Sequence, residues 1–500
     1  MSQLKKGALL TYLKVFLTNI IGLVLTPFIV KNLGDSEYGL YILIGSFVGY
    51  LGLMNLGINN AIVRFIAKYR AENDKKKEQE FLGTTMWLYL FISIALTIVG
   101  LILYYNLENI FSASLNKEEM EKAKIMFLIL VANFAIALPG GSFFAICGGY
   151  ESFVFPSALS IIKYIIRAIS IFCILTLGGK AISIVILDTV LNILIILISG
   201  IYVIKKLKVK IPLNVFHKDL TKDIFSYSLW VFIFGIVFQF QWSAGQIILG
   251  ITTDTITVAI YGIGILLGGY YGAFAGGING VLIPRATQMV VKNSDGEELT
   301  KSMIKIGRLN SYILLLILSG FILFGKNFIL LWVGQTYIAS WSIALLLMCV
   351  LTLPLIQSFG NSILEAKRKN RFKSMVSLVS VSIGLIIGIF LSKQYGIFGI
   401  ALPIALAMAL NSIIMNFYYK KIFQFNILSF FSKVLLAPLL LYGTSVFACY
   451  LLLNNFNIDS WFLFITCAAC YALIHICITY FILMNQYEKK LIKGLLKIKK

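Results

Sequence analysis

Gly57-Ile58-Asn59-Asn60, followed by Arg64 near the end of an apolar segment, recurs as Gly277-Ile278-Asn279-Gly280, followed by Arg285 near the end of a second one. The copies stand about 220 residues apart, the spacing of a duplicated unit rather than of a local repeat. Each places glycine and amide side chains where a helix in lipid would otherwise run unbroken. Hydrocarbon tolerates such a break only where protein or a water-filled cavity satisfies the freed backbone groups. A chain with two such units is built like a carrier whose halves rock about a shared cavity.

Working outward, further landmarks keep the same order and nearly the same offset. Leu138-Pro139 is matched by Leu353-Pro354, and Leu191-Asn192 with Lys205-Lys206 is matched by Leu410-Asn411 with Lys420-Lys421. Hydrophobic residues make up 59% of the 500 and charged residues 13%, whereas about a quarter of a soluble domain is charged. The apolar stretches mostly exceed the roughly 20 residues that a helix needs to cross hydrocarbon, and they lack the alternation of barrel strands. An all-α polytopic membrane protein with about 14 transmembrane helices is expected.

Basic residues orient it. Roughly 33 of the 43 Lys and Arg fall on the termini and even-numbered loops, among them Lys75-Lys76-Lys77 and Lys367-Arg368-Lys369. An even number of spans with this bias predicts a multi-pass protein of the cytoplasmic membrane with both termini cytoplasmic. The net charge of +22 is then topology and attraction to lipid headgroups, not a nucleic-acid surface. Six spans per unit make the units parallel repeats about an axis along the membrane normal, around a central cavity. The expected divisions are an N-lobe at 1–205 (spans 1–6), a basic cytoplasmic linker at 206–222, a C-lobe at 223–421 (spans 7–12), and 422–500 with two extra helices and a basic tail.

The first span is too long for a signal-peptide core and lacks a small-x-small cleavage site. The seven Cys lie in or beside spans, where thiols act as small apolar groups. Cys467-x-x-Cys470 with His475 and Cys477 shares one helix, which cannot wrap four ligands around a metal. No G-x-x-x-x-G-K-[ST] motif offers a phosphate cradle, so ATP hydrolysis within the chain is not expected, and no cofactor is implied.

Ionisable groups deep in a membrane cost about 2.5–3.5 kcal/mol each on insertion scales. Lys14 lies about 10 Å into span one, and Lys163 and Arg167 about 13 and 20 Å into span five, at 1.5 Å per residue. Spaced i, i+4, Lys163 and Arg167 share a helix face. Asp188 reaches a similar depth from the other side and can pair with Arg167, leaving Lys14 and Lys163 as uncompensated cations suited to an anionic headgroup. The competing reading is that both lysines snorkel to the interface. As a carboxylate well within a span, Asp188 is also the candidate for ion coupling. Arg64, Arg285 and Arg308 extend the cationic set, Arg64 and Arg285 with a topology anchor as the alternative. Asn59, Gln239, Gln246, Asn279, Gln357 and Asn361 are polar cavity candidates, against the alternative that such amides simply bond neighbouring helices.

The stretch Lys31-Asn32-Leu33-Gly34-Asp35-Ser36-Glu37-Tyr38-Gly39-Leu40-Tyr41, then Gly52-Leu53-Met54-Asn55-Leu56-Gly57 and the helix end through Arg64, resembles the span-one to span-two junction of the polysaccharide-biosynthesis flippases (Wzx-like) of the multidrug/oligosaccharidyl-lipid/polysaccharide exporter superfamily. Tyr395-Gly396 to Gly399-Ile400-Ala401 extends the similarity toward the C-terminus. The resemblance implies a bacterial flippase, not an enzyme, that moves a polyprenyl-pyrophosphate-linked oligosaccharide to the outer leaflet by alternating access. Its partners would be that lipid-linked oligosaccharide, membrane lipids, and polysaccharide polymerase and export proteins. Drug export by the same superfamily is the alternative, although a Lys- and Arg-lined cavity has the wrong sign for cationic drugs. A membrane enzyme of glycan assembly ranks below both.

Overall fold

A computed structural model describes residues 3–279, 282–292, 294–367, 369–453 and 458–490, and of these only the backbone at 3–9, 12, 223, 226–231, 275–279, 282–285 and 453. Among the described residues there is no strand. The helices are α1 (Gln3–Leu33), α2 (Asp35–Gly49), α3 (Ile58–Ala71), α4 (Lys75–Phe111), α5 (Lys117–Gly149), α6 (Val154–Thr176), α7 (Ala181–Ile201), α8 (Lys218–Trp242), α9 (Ala244–Thr252), α10 (Thr255–Asn279), α11 (Leu282–Val291), α12 (Gly296–Trp332), α13 (Ser340–Ile356), α14 (Ser358–Ala366), α15 (Asn370–Phe423), α16 (Ile427–Phe431), α17 (Ala437–Leu453) and α18 (Trp461–Ile478).

Among the described residues, 11 helices are long and apolar enough to span a membrane, or up to 13 when the pairs α8–α9 and α13–α14, bent by 46° and 50°, each count as one span. The helix α15 has 54 residues with a non-helical Gly396 inside it (φ 51°, ψ −125°). At 1.5 Å per residue it would measure about 80 Å, more than twice a bilayer core. It is therefore two spans hinged at Gly396, where glycine permits the positive φ, and the count reaches the 14 expected from sequence. Along α4, Ile94, Ile98, Ile102 and Tyr105 stand 50%, 53%, 57% and 77% exposed. Spaced at three and four residues, they form an apolar stripe that suits acyl chains rather than water.

The chain packs as two compact units. The first holds Met1–Gly262 with Val381–Ile400, and the second holds Ile263–Ser380 with Ala401–Lys500. In the first, α1 lies along α6, α5 packs on α3, α4 and α7, and α2 packs on α9. In the second, α12 packs on α13, α17 and α18, and α11 packs on α14. Phe324, Ile458 and Tyr471 are buried together where α12 meets α18.

Helix starts follow the local sequence. Asp74 accepts from Lys77 N (3.0 Å), and Asn116 and Glu119 form a reciprocal capping box. The basic connector before α8 is strapped onto α4. Trp87 Nε1 donates to the Leu213 carbonyl (2.6 Å), His217 N donates to Thr84 Oγ1 (3.1 Å), and a Cβ on Gly83 would stand 2.2 Å from the Pro212 oxygen.

Candidate functional site

The first repeat motif marks a real break. After α2 the chain makes a short 3-10 turn over Leu51–Asn55, passes through Leu56 (φ 51°) and Gly57 (φ 73°), both left-handed, and only then enters α3. Asn59 sits in the first turn of α3, where its Oδ1 accepts from Tyr89 OH at 2.7 Å, with Asn55 Oδ1 3.0 Å from the same hydroxyl. Arg64 lies exposed one turn further on, 5.9 Å from the Phe65 ring. In the second motif, the side chains of Asn279 and Arg285 and all of Gly280 lie outside the described residues.

A polar ladder runs up α6 and across to its neighbours. Ser157, Ser160, Lys163, Tyr164 and Arg167 recur at three- and four-residue spacing, so they gather on one side of a mostly apolar helix. At the first rung, Thr11 of α1 lies 3.3 Å from Ser157. At the second, Lys14, Thr18 and Asn19 of α1 face Ser160 and Tyr164 across a cavity of about 230 Å³. That places one ammonium group among four neutral hydrogen-bonding side chains.

Higher on α6, Lys163 Nζ lies 3.4 Å from Asn192 Oδ1, and Asn192 Nδ2 donates to Asn133 Oδ1 at 2.8 Å. With its amide nitrogen occupied by Asn133, Asn192 keeps its oxygen turned toward the lysine. One turn further, Arg167 reaches Asp188 in a two-pronged pair, Nε to Oδ1 at 2.5 Å and Nη2 to Oδ2 at 2.8 Å, and also donates to Tyr41 OH at 3.3 Å. The pair expected from sequence therefore forms. Both members keep about a quarter of their side-chain surface exposed. Among the described residues no carboxylate lies within ion-pair distance of Lys14 or Lys163.

The other expected site residues occupy separate surroundings. Gln239 Oε1 accepts from Ser243 at the α8–α9 bend, while its carbonyl accepts from Tyr50 OH. Gln246 is buried, with one end of its side-chain amide 2.9 Å from both the Trp242 and Ser243 carbonyls, two acceptors that assign that end as the donor nitrogen. In the second unit, Gln357 stands at the α13–α14 bend and donates to Asn416 (2.6 Å), and Asn361 accepts from Tyr419 (2.9 Å). Arg308 is gathered into a buried knot. It donates to both oxygens of Glu488 (2.7 and 3.1 Å), to Tyr312 OH (2.6 Å) and to the Leu483 carbonyl (2.7 Å). Those of Gln357, Asn361 and Arg308 tie separate segments together, those of the Gln239 and Gln246 side chains stay within the α8–α9 bend, and the ladder at α6 holds Lys14, Lys163 and Arg167. The sequence reading did not name Asn19, Tyr41, Asn133, Ser160 or Tyr164 as site residues. The lone amides Asn19 and Asn133 in apolar spans were the signal that could have found two of them.

The chain resembles several known proteins. The chain is 24% identical over 461 residues to the membrane protein EpsK of Bacillus subtilis (strain 168), covering 87% of each chain. It is 21% identical over 407 residues to a Shigella flexneri protein named for O-antigen transport, covering 79% of this chain and 92% of that one. Among solved structures, the lipid II flippase MurJ in an inward closed conformation matches with a TM-score of 0.73 at 19% identity, covering 94% of this chain and 99% of that one. An inward-facing multidrug resistance MATE transporter of the MOP superfamily matches with a TM-score of 0.65 at 15% identity, covering 83% and 97%. The fold is thus that of MOP-superfamily transporters. The model of the polysaccharide biosynthesis protein family matches residues 4–290, and the chain belongs to that family.

Proposed function

We propose that this protein flips a polyprenyl-pyrophosphate-linked oligosaccharide from the cytoplasmic to the outer leaflet of a bacterial cytoplasmic membrane, by alternating access, for assembly of a surface polysaccharide. Both termini face the cytoplasm, and the protein moves its substrate without covalent chemistry. The observation that carries this reading is the α6 ladder, in which Lys14 and Lys163 have no carboxylate beside them among the described residues while Asp188 neutralises Arg167. A pyrophosphate supplies the missing anionic partner through charge-assisted hydrogen bonds. The hydroxyls and amide around Lys14 suit sugar hydroxyls. Polysaccharide polymerase and export proteins would receive the product.

Asp188 is where an ion gradient would act, by competing with Arg167 for the carboxylate. Arg167→Asp or Asp188→Arg alone leaves two like charges facing each other in a poorly solvated site and is expected to abolish transport. The double exchange is expected to recover a substantial part of it, and a double variant as inactive as either single one contradicts the pairing.

Cells depleted of the protein are expected to accumulate lipid-linked oligosaccharide on the cytoplasmic leaflet, read by its protection from an external glycan-modifying reagent. A normal lipid pool together with raised sensitivity to cationic drugs would instead support a drug exporter, the reading that the MATE likeness leaves as the alternative.

A further inference from the structure

The end of the first unit that carries the α1–α2, α4–α5 and α6–α7 turns is tied together around Glu119, in the first turn of α5. Its Oε1 accepts from Ser36 Oγ at the start of α2 (2.5 Å) and from Thr255 Oγ1 at the start of α10 (2.9 Å). Its Oε2 accepts from Asn116 N (3.0 Å), which fixes the carboxylate in place. Beside it, Glu37 takes Lys122 Nζ (3.2 Å) and the backbone N of Ala181 (2.8 Å), and Ser114 Oγ donates to the Gly250 carbonyl. The backbones close tightly here. A Cβ on Gly39 would lie 1.8 Å from the Thr255 oxygen, and one on Gly250 would lie 2.3 Å from Leu43.

Four elements therefore converge, and one of them differs in origin. The turns before α2, α5 and α7 come from the first repeat, whereas Gly250 near the end of α9 and Thr255 at the start of α10 flank the α9–α10 turn, in the second repeat by sequence. In the proposed topology this end faces outward. A carrier of two repeats must part them on that face to release its cargo. A fastening that opens in each cycle should be made of groups that water can replace. Two hydroxyls on one carboxylate oxygen meet that requirement, because both sides rehydrate without leaving a buried polar atom unpaired.

We propose that Glu119 is the latch of the outer face, holding the α9–α10 turn shut through Thr255 and Ser36, and that its release accompanies outward opening. This rests on the transport reading, but its test needs no substrate, so the two fail separately. Ile42 lies beneath the latch, its Cγ2 3.0 Å from where a Cβ on Gly262 would stand.

In the full-length protein in intact cells, Ile42→Cys should react slowly with a membrane-impermeant maleimide, measured against the same protein without the added cysteine. Adding Glu119→Ala or Thr255→Val should speed labelling by about tenfold, the effect of losing charge-assisted hydrogen bonds from the closed state. Thr255→Ser, which keeps the hydroxyl, should restore the slow rate. Glu118→Gln, whose carboxylate pairs with Lys122 at the rim (2.8 Å), should leave it unchanged. Unaltered labelling in Glu119→Ala and Thr255→Val overturns the latch. So does labelling in Thr255→Ser as fast as in Thr255→Val, which would assign the effect to packing rather than to the hydrogen bond.

Discussion

Lys14→Ala combined with Lys163→Ala is expected to lower the rate of lipid-linked oligosaccharide translocation by about 100-fold or more, with each single substitution giving a smaller loss. A hydrogen bond to a charged group contributes about 1.5–3 kcal/mol, so each lysine commands a factor of roughly 10 to 100. Lys163→Arg keeps the charge but replaces a compact ammonium with a planar fork, and should retain partial activity. Asn192→Ala removes the oxygen 3.4 Å from Lys163 Nζ without changing any charge. It should therefore weaken transport less than Lys163→Ala does. Protein level and thermal stability, measured in parallel, check that the double alanine variant folds. Full transport by that folded variant would remove the ladder from the substrate path.

The largest loss of stability is expected from Glu488→Ala. Glu488 is 1% exposed, and its carboxylate accepts from Arg308 Nε and Nη2, from Tyr312 OH and from Asn485 N. Removing one member of a buried ion pair leaves the other charge uncompensated, at a cost of about 3–5 kcal/mol. The expected result is a clear fall in thermal unfolding temperature in detergent, first where the chain after α18 docks onto α12. Exchanging both residues for packed apolar ones, Arg308→Met with Glu488→Leu, should cost far less than Glu488→Ala. An unchanged unfolding temperature in Glu488→Ala would mean that this knot does not hold the segment.

Much of the fold was legible in the sequence because lipid imposes a simple rule: long apolar runs must be helices, and polar interruptions must be accommodated by protein. The Gly57 break was visible as glycine and amides inside such a run, whereas Pro354, read as a repeat landmark, and Gly396, read as a mark of resemblance, stand in the structure beside a bend and at a hinge. Arg167 and Asp188 could be paired from depth alone, since 1.5 Å per residue brings them level from opposite ends of neighbouring spans. What depth cannot supply is azimuth. Lys163 and Asn192 meet because α6 and α7 turn those faces together, and Tyr41 reaches Arg167 from α2. Arg308 shows the opposite case. Its depth in α12 suits a cavity, but its partner Glu488 lies 180 residues later in a segment that resembles a solvated tail. The clasp at Glu119 was hidden for a related reason, because its serine, threonine and glutamate are ordinary turn and cap residues until the turns converge.

The most direct test of the central claim is translocation by the purified full-length protein in liposomes containing a polyprenyl-pyrophosphate-linked oligosaccharide. The fraction of substrate open to an external glycan-modifying reagent is followed over time. Transport predicts that the initially protected pool becomes accessible with the wild-type protein, and much more slowly with the Lys14→Ala/Lys163→Ala variant. A protected pool that stays constant with folded wild-type protein, at a rate equal to that of protein-free liposomes, would contradict the account.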